Sequence, residues 1–538
     1  MPGSQPNASR SRSPFARLQA AGAVVVLHAR KHAGVGVVCA VAYFDPGNWA
    51  VDLQAGSQNG FRLLFTVLVA GLFAAYLQVL ATRLGCVTGL DLASHCRVLL
   101  YDRPKHKLFY RRLVLYPLYL LSEVAIIATD LAELLGSAIG LCLLFPQLQL
   151  WHGVLITAFD VVLLLGLRDP LRSTPVKLFE MLIACMVLAV LICMVVVISK
   201  LHVEWGAAFK GFLPSKDLFG VSGLYTSVGI LGATVMPHSL FLGSTLATQN
   251  RVPAGCPPAD DVKPEAPQVP DSHETTPRSL RESNFGRLLE FVASRFRTPP
   301  PSQHATRVKR HADRENNTLA FIRAHLNHAI VDVVGSLLGF AVLINSMILI
   351  MAGMVFYYGD GGTVMNKSAS LFDAYDLIHD IIGAPAATLF AVALLAAGQS
   401  SSIIATLAGQ AVSEGFLDWR LSPIVRRLLT RLIAVIPSMA VAIALGRHGI
   451  DTLLVASQVI LAVVLPFIIC PLIFLTSSKT VMRVRKPDVL VSHLDTVWDD
   501  MVDYSSGKVA TLLGCAIGLL VLTANIYVIA TLIEGAMR

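Results

Sequence analysis

The sequence predicts an all-α polytopic membrane protein, and two observations lead to that fold class. First, 54% of the 538 residues are hydrophobic and only 14% are charged, whereas a soluble domain carries about 25% charged residues. Second, the apolar residues form runs long enough to cross a hydrocarbon layer of roughly 30 Å, which takes about 20 residues of helix. Both properties exclude a soluble enzyme, a disordered protein and a small disulfide scaffold.

Eleven apolar runs are candidate spans, and they divide the chain into four parts. Residues 1–32 are a disordered N-terminal tail, residues 33–250 hold spans 1–6, residues 251–325 are a long and mostly disordered loop, and residues 326–538 hold spans 7–11. The candidate spans are residues 34–58, 62–81, 112–144, 151–167, 176–199, 220–249, 327–356, 384–416, 430–446, 452–475 and 509–533.

The basic residues predict the orientation in the membrane. If the N-terminus is cytoplasmic, 36 of the 43 lysines and arginines lie on the cytoplasmic side, as the positive-inside rule requires. The net charge of +8 therefore marks one membrane face and indicates no nucleic-acid partner. An odd number of spans places the C-terminus outside the cell or in a lumen. The candidate membranes are the plasma, endosomal and vacuolar membranes. Asn366, in the sequon Asn-Lys-Ser, is then a candidate glycosylation site.

Spans 1 and 6 are each interrupted by a proline. Span 1 contains Asp45-Pro-Gly-Asn48, and span 6 contains Met236-Pro-His238. Proline removes a backbone donor and clashes with the preceding turn, so each helix is expected to break there. Such breaks are tolerated at membrane depth only where they line a cavity. Interrupted helices at the first and sixth positions are typical of two inverted five-helix repeats.

The side chains at these breaks indicate a metal ion as ligand. Asp45 offers an anionic oxygen, Asn48 a neutral oxygen and Met236 a soft sulfur, and the breaks offer free carbonyls such as that of Ala233. Hard oxygens with one thioether suit Mn²⁺ or Fe²⁺, whereas Ca²⁺ and Mg²⁺ prefer shells made only of oxygen. The site therefore predicts a transition metal ion as the transported substrate.

Span 3 carries three acidic residues, Glu123, Asp130 and Glu133. At about 100° per residue they fall within an arc of about 80° on the helix. Because charges inside a membrane are costly, such a cluster indicates contact with protons, water or cations. We interpret it as a proton route with Arg431 of span 9 as the countercharge. The alternative is a structural cluster in which the acids pair with Arg431 or stay protonated.

These motifs resemble the natural resistance-associated macrophage protein (NRAMP) family of proton-coupled divalent metal transporters. The resemblance covers residues 33–535, and the segment Met236–Ser244 with the long central loop is similar to the fungal manganese-transporter branch. It implies a leucine-transporter-like fold with a 5+5 inverted repeat. It also implies that the metal is bound by Asp45, Asn48, Met236 and the carbonyl of Ala233, joined in some states by Gln458 and the carbonyl of Ala42.

The resemblance extends to the proton pathway and to one gate residue. Many family members have a second histidine five residues after the first, where this chain has Gly243. Any proton role of that imidazole is therefore absent here or carried by another group. The matching proton-pathway residues are His238, Glu123, Asp130, Glu133 and Arg431, and Asn345 matches a position near the outer gate.

The function predicted from these observations is secondary active transport. The protein is expected to import divalent metal ions, Mn²⁺ in preference and also Fe²⁺, into the cytoplasm together with protons. It is expected to be no enzyme and to need no cofactor; its partners are the metal ion, the proton and the lipid bilayer, with regulatory proteins as candidates at the 251–325 loop. Two alternatives stay open, a sodium-coupled organic-solute carrier of the same fold and a metal sensor that no longer transports. An intramembrane metal hydrolase lacks support because no HExxH motif occurs.

Overall fold

The structure is a computed structural model that describes most of the transmembrane part of the chain. It describes residues 34–158, 171, 176–216, 221–251, 311, 314–358, 369–417, 423–444, 446–486 and 501–537. The predicted N-terminal tail, nearly all of the loop up to residue 313, and the glycosylation candidate Asn366 lie outside the described residues.

Within the described residues, eight helical stretches are long and apolar enough to cross a membrane, and two shorter apolar helices accompany them. The predicted all-α polytopic fold class is thereby confirmed. The count of eleven spans is not established, because span 4 is described only over Leu150–Thr157. The other unbroken spans run over Leu64–Thr88 (span 2), Lys107–Leu144 (span 3), Lys177–Lys200 (span 5), Leu319–Tyr357 (span 7), Ala384–Leu417 (span 8), Pro423–Ala444 (span 9), Gly446–Ser477 (span 10) and Lys508–Met537 (span 11).

Span 1 is broken at the predicted position. Span 1a, Val35–Val41, continues into a 3₁₀ turn, Ala42–Phe44, and span 1b begins at Pro46 and ends at Asn59. Asp45 between them is extended and caps span 1b, because its side chain accepts a hydrogen bond from the Asn48 amide. Aspartate at the cap and proline in the first turn are strong helix-start signals, so the motif that ends one helix also starts the next.

Span 6 is broken in the same way. Span 6a covers Val221–Thr234, and span 6b covers Pro237–Leu246. Met236 is extended between the two halves, with φ −82° and ψ 118°, which is the conformation that a following proline imposes. Both breaks required by the predicted inverted-repeat fold are therefore present.

Several helix ends differ from the hydropathy prediction, and two of them have a clear local cause. Span 2 continues past residue 81 to Thr88 and ends at Gly89, whose φ of 63° suits glycine. Span 7 begins at Leu319 instead of residue 327, since the hydroxyl of Thr318 accepts a hydrogen bond from the Phe321 amide and caps the helix. Hydropathy detects only the apolar part of a helix, whereas capping and glycine set where it starts and ends.

Spans 1 and 7 lie side by side and run in the same direction. The carboxylate of Asp332 in span 7 accepts hydrogen bonds from the amides of Gly34 (3.2 Å) and Gly36 (2.7 Å) at the start of span 1a. Twenty residues farther along both helices, Gly56 of span 1b packs so closely on span 7 that an added Cβ would lie 2.7 Å from the Cβ of Ala352. The two helices therefore stay in register across the break.

Smaller elements join the spans. Helices occur at Leu92–Leu100 between spans 2 and 3, Trp205–Lys210 after span 5, and Leu371–Ile382 before span 8. A short helix, Lys479–Met482, and two antiparallel strands, β1 (Arg483–Arg485) and β2 (Met501–Asp503), connect spans 10 and 11.

The residues just before span 7 are held against the end of span 2. Arg314 donates a hydrogen bond to the carbonyl of Thr88 (2.9 Å), and Asn317 donates one to the carbonyl of Cys86 (2.8 Å). The imidazole of His311 stacks on that of His95, with Nε2 of His311 2.9 Å from Nδ1 of His95. The end of the 251–325 loop is thus fixed to the transmembrane body.

Candidate functional site

Asp45 lies at the centre of the candidate metal site and is fully buried. Its Oδ1 accepts hydrogen bonds from the backbone amide (2.9 Å) and the side-chain amide (2.6 Å) of Asn48, and its Oδ2 lies 3.5 Å from Nε2 of Gln458. Gly47 permits this arrangement, because a Cβ at that position would overlap the Gln458 amide. Three predicted ligands, from spans 1 and 10, are therefore in direct contact.

Met236 and Ala233 belong to the second break and are also fully buried. Ala233 is in the last turn of span 6a, where helix carbonyls have no partner within the helix. Its neighbour Gly232 packs on span 10, where an added Cβ would lie 3.6 Å from the carbonyl of Gln458. Gln458 therefore contacts the break of span 1 and lies beside the end of span 6a.

The carbonyls at the end of span 1a have partners of their own. The carbonyl of Tyr43 accepts a hydrogen bond from Nδ2 of Asn345 (2.7 Å), and that of Phe44 accepts one from the indole of Trp49 (3.0 Å). Ala42, the predicted occasional ligand, begins the same 3₁₀ turn. Asn345, predicted near the outer gate, is thus buried against the break of span 1.

The predicted proton-pathway residues form two polar contacts between spans 3, 8 and 9. The guanidinium of Arg431 donates hydrogen bonds to Asp130 and to the hydroxyl of Ser402. The hydroxyl of Ser401 donates to Oε1 of Glu133. All of these side chains are buried, so Asp130 and Glu133 have specific partners and are not exposed to lipid.

His238 and Glu133 link this cluster to Asp45. Nδ1 of His238 lies 3.3 Å from the hydroxyl of Thr129, the neighbour of Asp130, while its Nε2 is buried with no hydrogen-bond partner among the described residues. Glu133 is within electrostatic range of Asp45. Glu123, two turns before Asp130 on span 3, is only half-buried. Polar groups therefore run from Asp45 along span 3 toward its beginning.

Several residues of this region were missed by the sequence analysis. Ser401 and Ser402 supply the hydroxyls that contact Glu133 and Arg431. Three consecutive serines in an apolar span were a usable signal, because polar side chains inside a membrane usually face other polar groups. Asp52 on span 1b is a further buried carboxylate that belongs to neither the predicted metal site nor the predicted proton route.

The donor set suits an ion that binds and leaves. Among the described residues, no three His, Cys, Asp or Glu side chains converge on a resident metal site. One carboxylate, two amides, a thioether and a backbone carbonyl are available instead. A small cleft of about 30 Å³ lies between spans 1b, 6a, 10 and 11; its lining includes Val51, Gln54, Thr226, Gln458, Ala462 and Asn525. The cleft therefore adjoins the candidate site at Gln458, on the span 1b side.

Comparison with known proteins agrees with these features. A family model described as natural resistance-associated macrophage protein-like matches residues 36–494. The manganese transporter pdt1 of Schizosaccharomyces pombe is 40% identical over 94% of this chain and 86% of its own length. The iron transporter SMF3 of Saccharomyces cerevisiae is 35% identical over 94% of this chain and 97% of its own length.

The solved structure of a manganese transporter from Eremococcus coleocola superposes on the protein with a TM-score of 0.69. It is 28% identical in sequence, and the match covers 94% of this chain and 87% of that one. The fold, the two breaks and the sequence matches agree with one another. The chain belongs to the natural resistance-associated macrophage protein family of integral membrane proteins.

Proposed function

We propose that the protein is a secondary active transporter that imports divalent transition metal ions, Mn²⁺ in preference and also Fe²⁺, into the cytoplasm together with protons. The observation that carries the proposal is the fully buried Asp45 at a helix break, with the Asn48 and Gln458 amides on its two oxygens. Proteins related to this chain along most of its length are named as manganese and iron transporters, not as enzymes.

The ligand types favour a transition metal over the common alkaline-earth ions. Asp45, Asn48, Gln458 and the carbonyls of Ala42 and Ala233 would supply oxygen, and Met236 would supply sulfur. A thioether binds soft or borderline ions and contributes little to Ca²⁺ or Mg²⁺. An ion that takes the oxygens of Asp45 would displace the amide hydrogens that now contact them. The site would therefore exchange hydrogen bonds for metal bonds when the ion binds.

Proton coupling would use the polar groups that begin at Asp45. Glu133 would receive a proton displaced near Asp45, and Asp130 with Arg431 would pass it along span 3 toward Glu123. His238, whose Nε2 has no hydrogen-bond partner among the described residues, would be an additional proton acceptor. Arg431 supplies a fixed positive charge that makes a second buried carboxylate tolerable.

Sidedness follows from the basic residues. With a cytoplasmic N-terminus, span 1b and the cleft beside it face the outside or a lumen, and span 1a faces the cytoplasm. Alternating access would move spans 1a and 6b on the inner side and spans 1b and 6a on the outer side, with Asn345 beside the moving break. The 251–325 loop would then be cytoplasmic and available to regulatory proteins.

The alternatives receive less support from the site. A sodium-coupled carrier of organic solutes needs a chamber for its substrate, whereas Asp45, Asn48 and Met236 are all completely or almost completely buried. A sensor that only binds metal would not need the buried acids of span 3, Asp130 and Glu133, with their partners Arg431 and Ser401. Both alternatives predict no net Mn²⁺ flux.

The test is uptake of radiolabelled Mn²⁺ into proteoliposomes that contain the full chain. Uptake is expected to rise with an inwardly directed proton gradient and to disappear in Asp45→Ala. Asp380→Ala removes a carboxylate whose side chain is 76% exposed and serves as the matched control, with uptake retained. Flux that ignores the gradient would contradict proton coupling, and flux retained by Asp45→Ala would contradict the site.

A further inference from the structure

Asp52 is a buried carboxylate that belongs to neither the proposed metal site nor the proposed proton route. It lies inside span 1b, is 2% exposed, and its Oδ2 has no hydrogen-bond partner among the described residues. Carboxylates inside a membrane are costly unless they meet a cation, a proton or water. A ligand for Asp52 is therefore expected.

Asp52 faces the same side of span 1b as the metal site. At about 100° per residue, it is displaced by about 40° from Asn48 and by about 20° from Asp45. It stands one helical turn beyond Asn48, about 6 Å farther from span 1a. Asp45, Asn48 and Asp52 therefore form a row that continues from the metal site toward the end of span 1b.

The surface opposite Asp52 belongs to span 7. A Cβ added to Gly56 would meet Leu349, Ala352 and Gly353 of span 7, with the Leu349 carbonyl oxygen closest at 2.4 Å. Asp52 precedes Gly56 by one turn, so it lies level with residues 345–349 of span 7. Leu349 and Ala352 of span 7 contact Gly56. Asn345 precedes Leu349 by one helical turn and Ala352 by two, so it lies on the same face of span 7, the face that touches span 1.

Two more oxygens without partners occur at this level. Oδ1 of Asn345 and Oγ of Ser346 are buried with no hydrogen-bond partner among the described residues. The hydrogen bond from Nδ2 of Asn345 to the carbonyl of Tyr43 (2.7 Å) fixes which end of the amide is the oxygen. A carboxylate, an amide oxygen and a hydroxyl are thus brought to one level between two packed helices.

We propose that Asp52, Asn345 and Ser346 form a second cation position, one turn from the transport site on the span 1b side. Its ligands are all oxygen, the set preferred by hard divalent ions such as Ca²⁺, Mg²⁺ and Mn²⁺. It has no sulfur and does not select for transition metals. The inference rests on the proposed function. In transport, an incoming ion would bind here first and then move to the site that contains Met236, where it is selected.

The test counts bound ions and does not depend on transport. Equilibrium dialysis of the purified full chain with radiolabelled Ca²⁺ and Mn²⁺ should find one Ca²⁺ and two Mn²⁺ for the unchanged protein. Asp52→Asn, which keeps the side-chain volume, should lose one Mn²⁺ and weaken Ca²⁺ binding at least about tenfold, because ligand charge sets calcium affinity. Asp45→Ala should also lose one Mn²⁺ but keep the Ca²⁺.

The control is Ser227→Ala. The hydroxyl of Ser227 in span 6a lies 3.2 Å from that of Thr66 in span 2, and its removal should leave the numbers of bound Ca²⁺ and Mn²⁺ ions unchanged. If Asp52→Asn does not fold, Ser346→Ala should still weaken Ca²⁺ binding, and by less than the loss of a charged ligand would. Unchanged Ca²⁺ affinity in Asp52→Asn, or in Ser346→Ala, overturns the proposal, as does loss of both ions in Asp45→Ala. A failed uptake experiment with normal ion counts would contradict the transport function alone.

Discussion

Gln78 of span 2 fills the space that a side chain at Gly243 of span 6b would occupy. Its Oε1 accepts hydrogen bonds from the hydroxyls of Tyr43 and Ser239, each 3.1 Å away, and its Nε2 lies 3.5 Å from the sulfur of Cys39. A Cβ at residue 243 would overlap that nitrogen. An uncharged amide therefore joins spans 1, 2 and 6b in the space beside Gly243.

Gly243→Ala should destabilise the protein because Gln78 cannot move away without losing its partners. Overpacking of this kind costs about 1–3 kcal/mol, which would lower the thermal midpoint of the purified protein. Gln78→Ala alone should also destabilise, since it removes the acceptor to which two buried hydroxyls donate. The double variant Gly243→Ala with Gln78→Ala should be more stable than the sum of the two losses predicts. Strictly additive losses would show that the two residues do not compete for space.

Met236→Ala should widen selectivity without removing transport. The thioether is the one soft donor proposed for the site, and its loss leaves only oxygen ligands, which are the ligands that Ca²⁺ takes. Uptake of radiolabelled Ca²⁺ should therefore appear in the variant while Mn²⁺ uptake continues. Met347→Ala, on span 7 and only partly buried, is the control with unchanged selectivity. Continued exclusion of Ca²⁺ by Met236→Ala would remove the selectivity argument.

The sequence predicted the two breaks and their chemistry because both depend on local rules. Asp45 before Pro46 is a helix cap followed by a helix-starting proline, and Met236 before Pro237 is extended because proline restricts the preceding residue. No partner from a distant part of the chain is needed for either. Hydropathy similarly identified the apolar spans, although it misplaced ends that depend on a cap such as Thr318.

Other features depend on which helices become neighbours, and a single sequence does not contain that information. Helical periodicity puts Glu133 on a face of span 3 but does not say that Ser401 of span 8 will meet it. The contact between Gln78 and Gly243 joins residues far apart in the chain, and no local pattern distinguishes that glycine from one in a loop. The sequence does not show that Asp52 is buried, because its burial depends on the helices that pack against span 1b.

Asp130→Asn should destabilise the protein strongly. It removes the charge that pairs with Arg431, a side chain that is 4% exposed, and breaking a buried ion pair from one side costs about 3–5 kcal/mol. The double variant Asp130→Asn with Arg431→Gln should recover part of that loss, because no unpaired charge remains. Chemical unfolding of the purified variants measures both effects. Equal stability of Asp130→Asn and the unchanged protein would show that the pair carries no stabilising energy.

The His95–His311 contact should weaken in acid. The hydroxyl of Thr88 donates to a backbone carbonyl, so it can only accept from Nε2 of His95 (2.8 Å). That leaves Nδ1 of His95 as the acceptor for Nε2–H of His311. Protonation of His95 at Nδ1 would therefore break the link between the two rings.

The charges around the pair set the pH window. Burial, followed by His311 and Arg314, lowers the pKa of His95 well below its usual 6.5, and burial with Arg314 lowers the pKa of His311 to about 4. Asp91 is the nearby acid and acts on Arg314. Because the detached histidines bind protons more readily, the contact is fully stabilising above about pH 6.5 and loses stability as the pH falls toward 4.

Hydrogen exchange of residues 314–318 measures this loss. Exchange, corrected for its intrinsic pH dependence, should accelerate between pH 7 and pH 5 in the unchanged protein. His95→Gln keeps a polar group but has no group that titrates, so its corrected exchange should vary less with pH. His106→Gln, an exposed histidine in the loop that follows the Leu92–Leu100 helix, should behave like the unchanged protein. Equal pH dependence in all three proteins would show that the histidine pair does not hold the end of the loop.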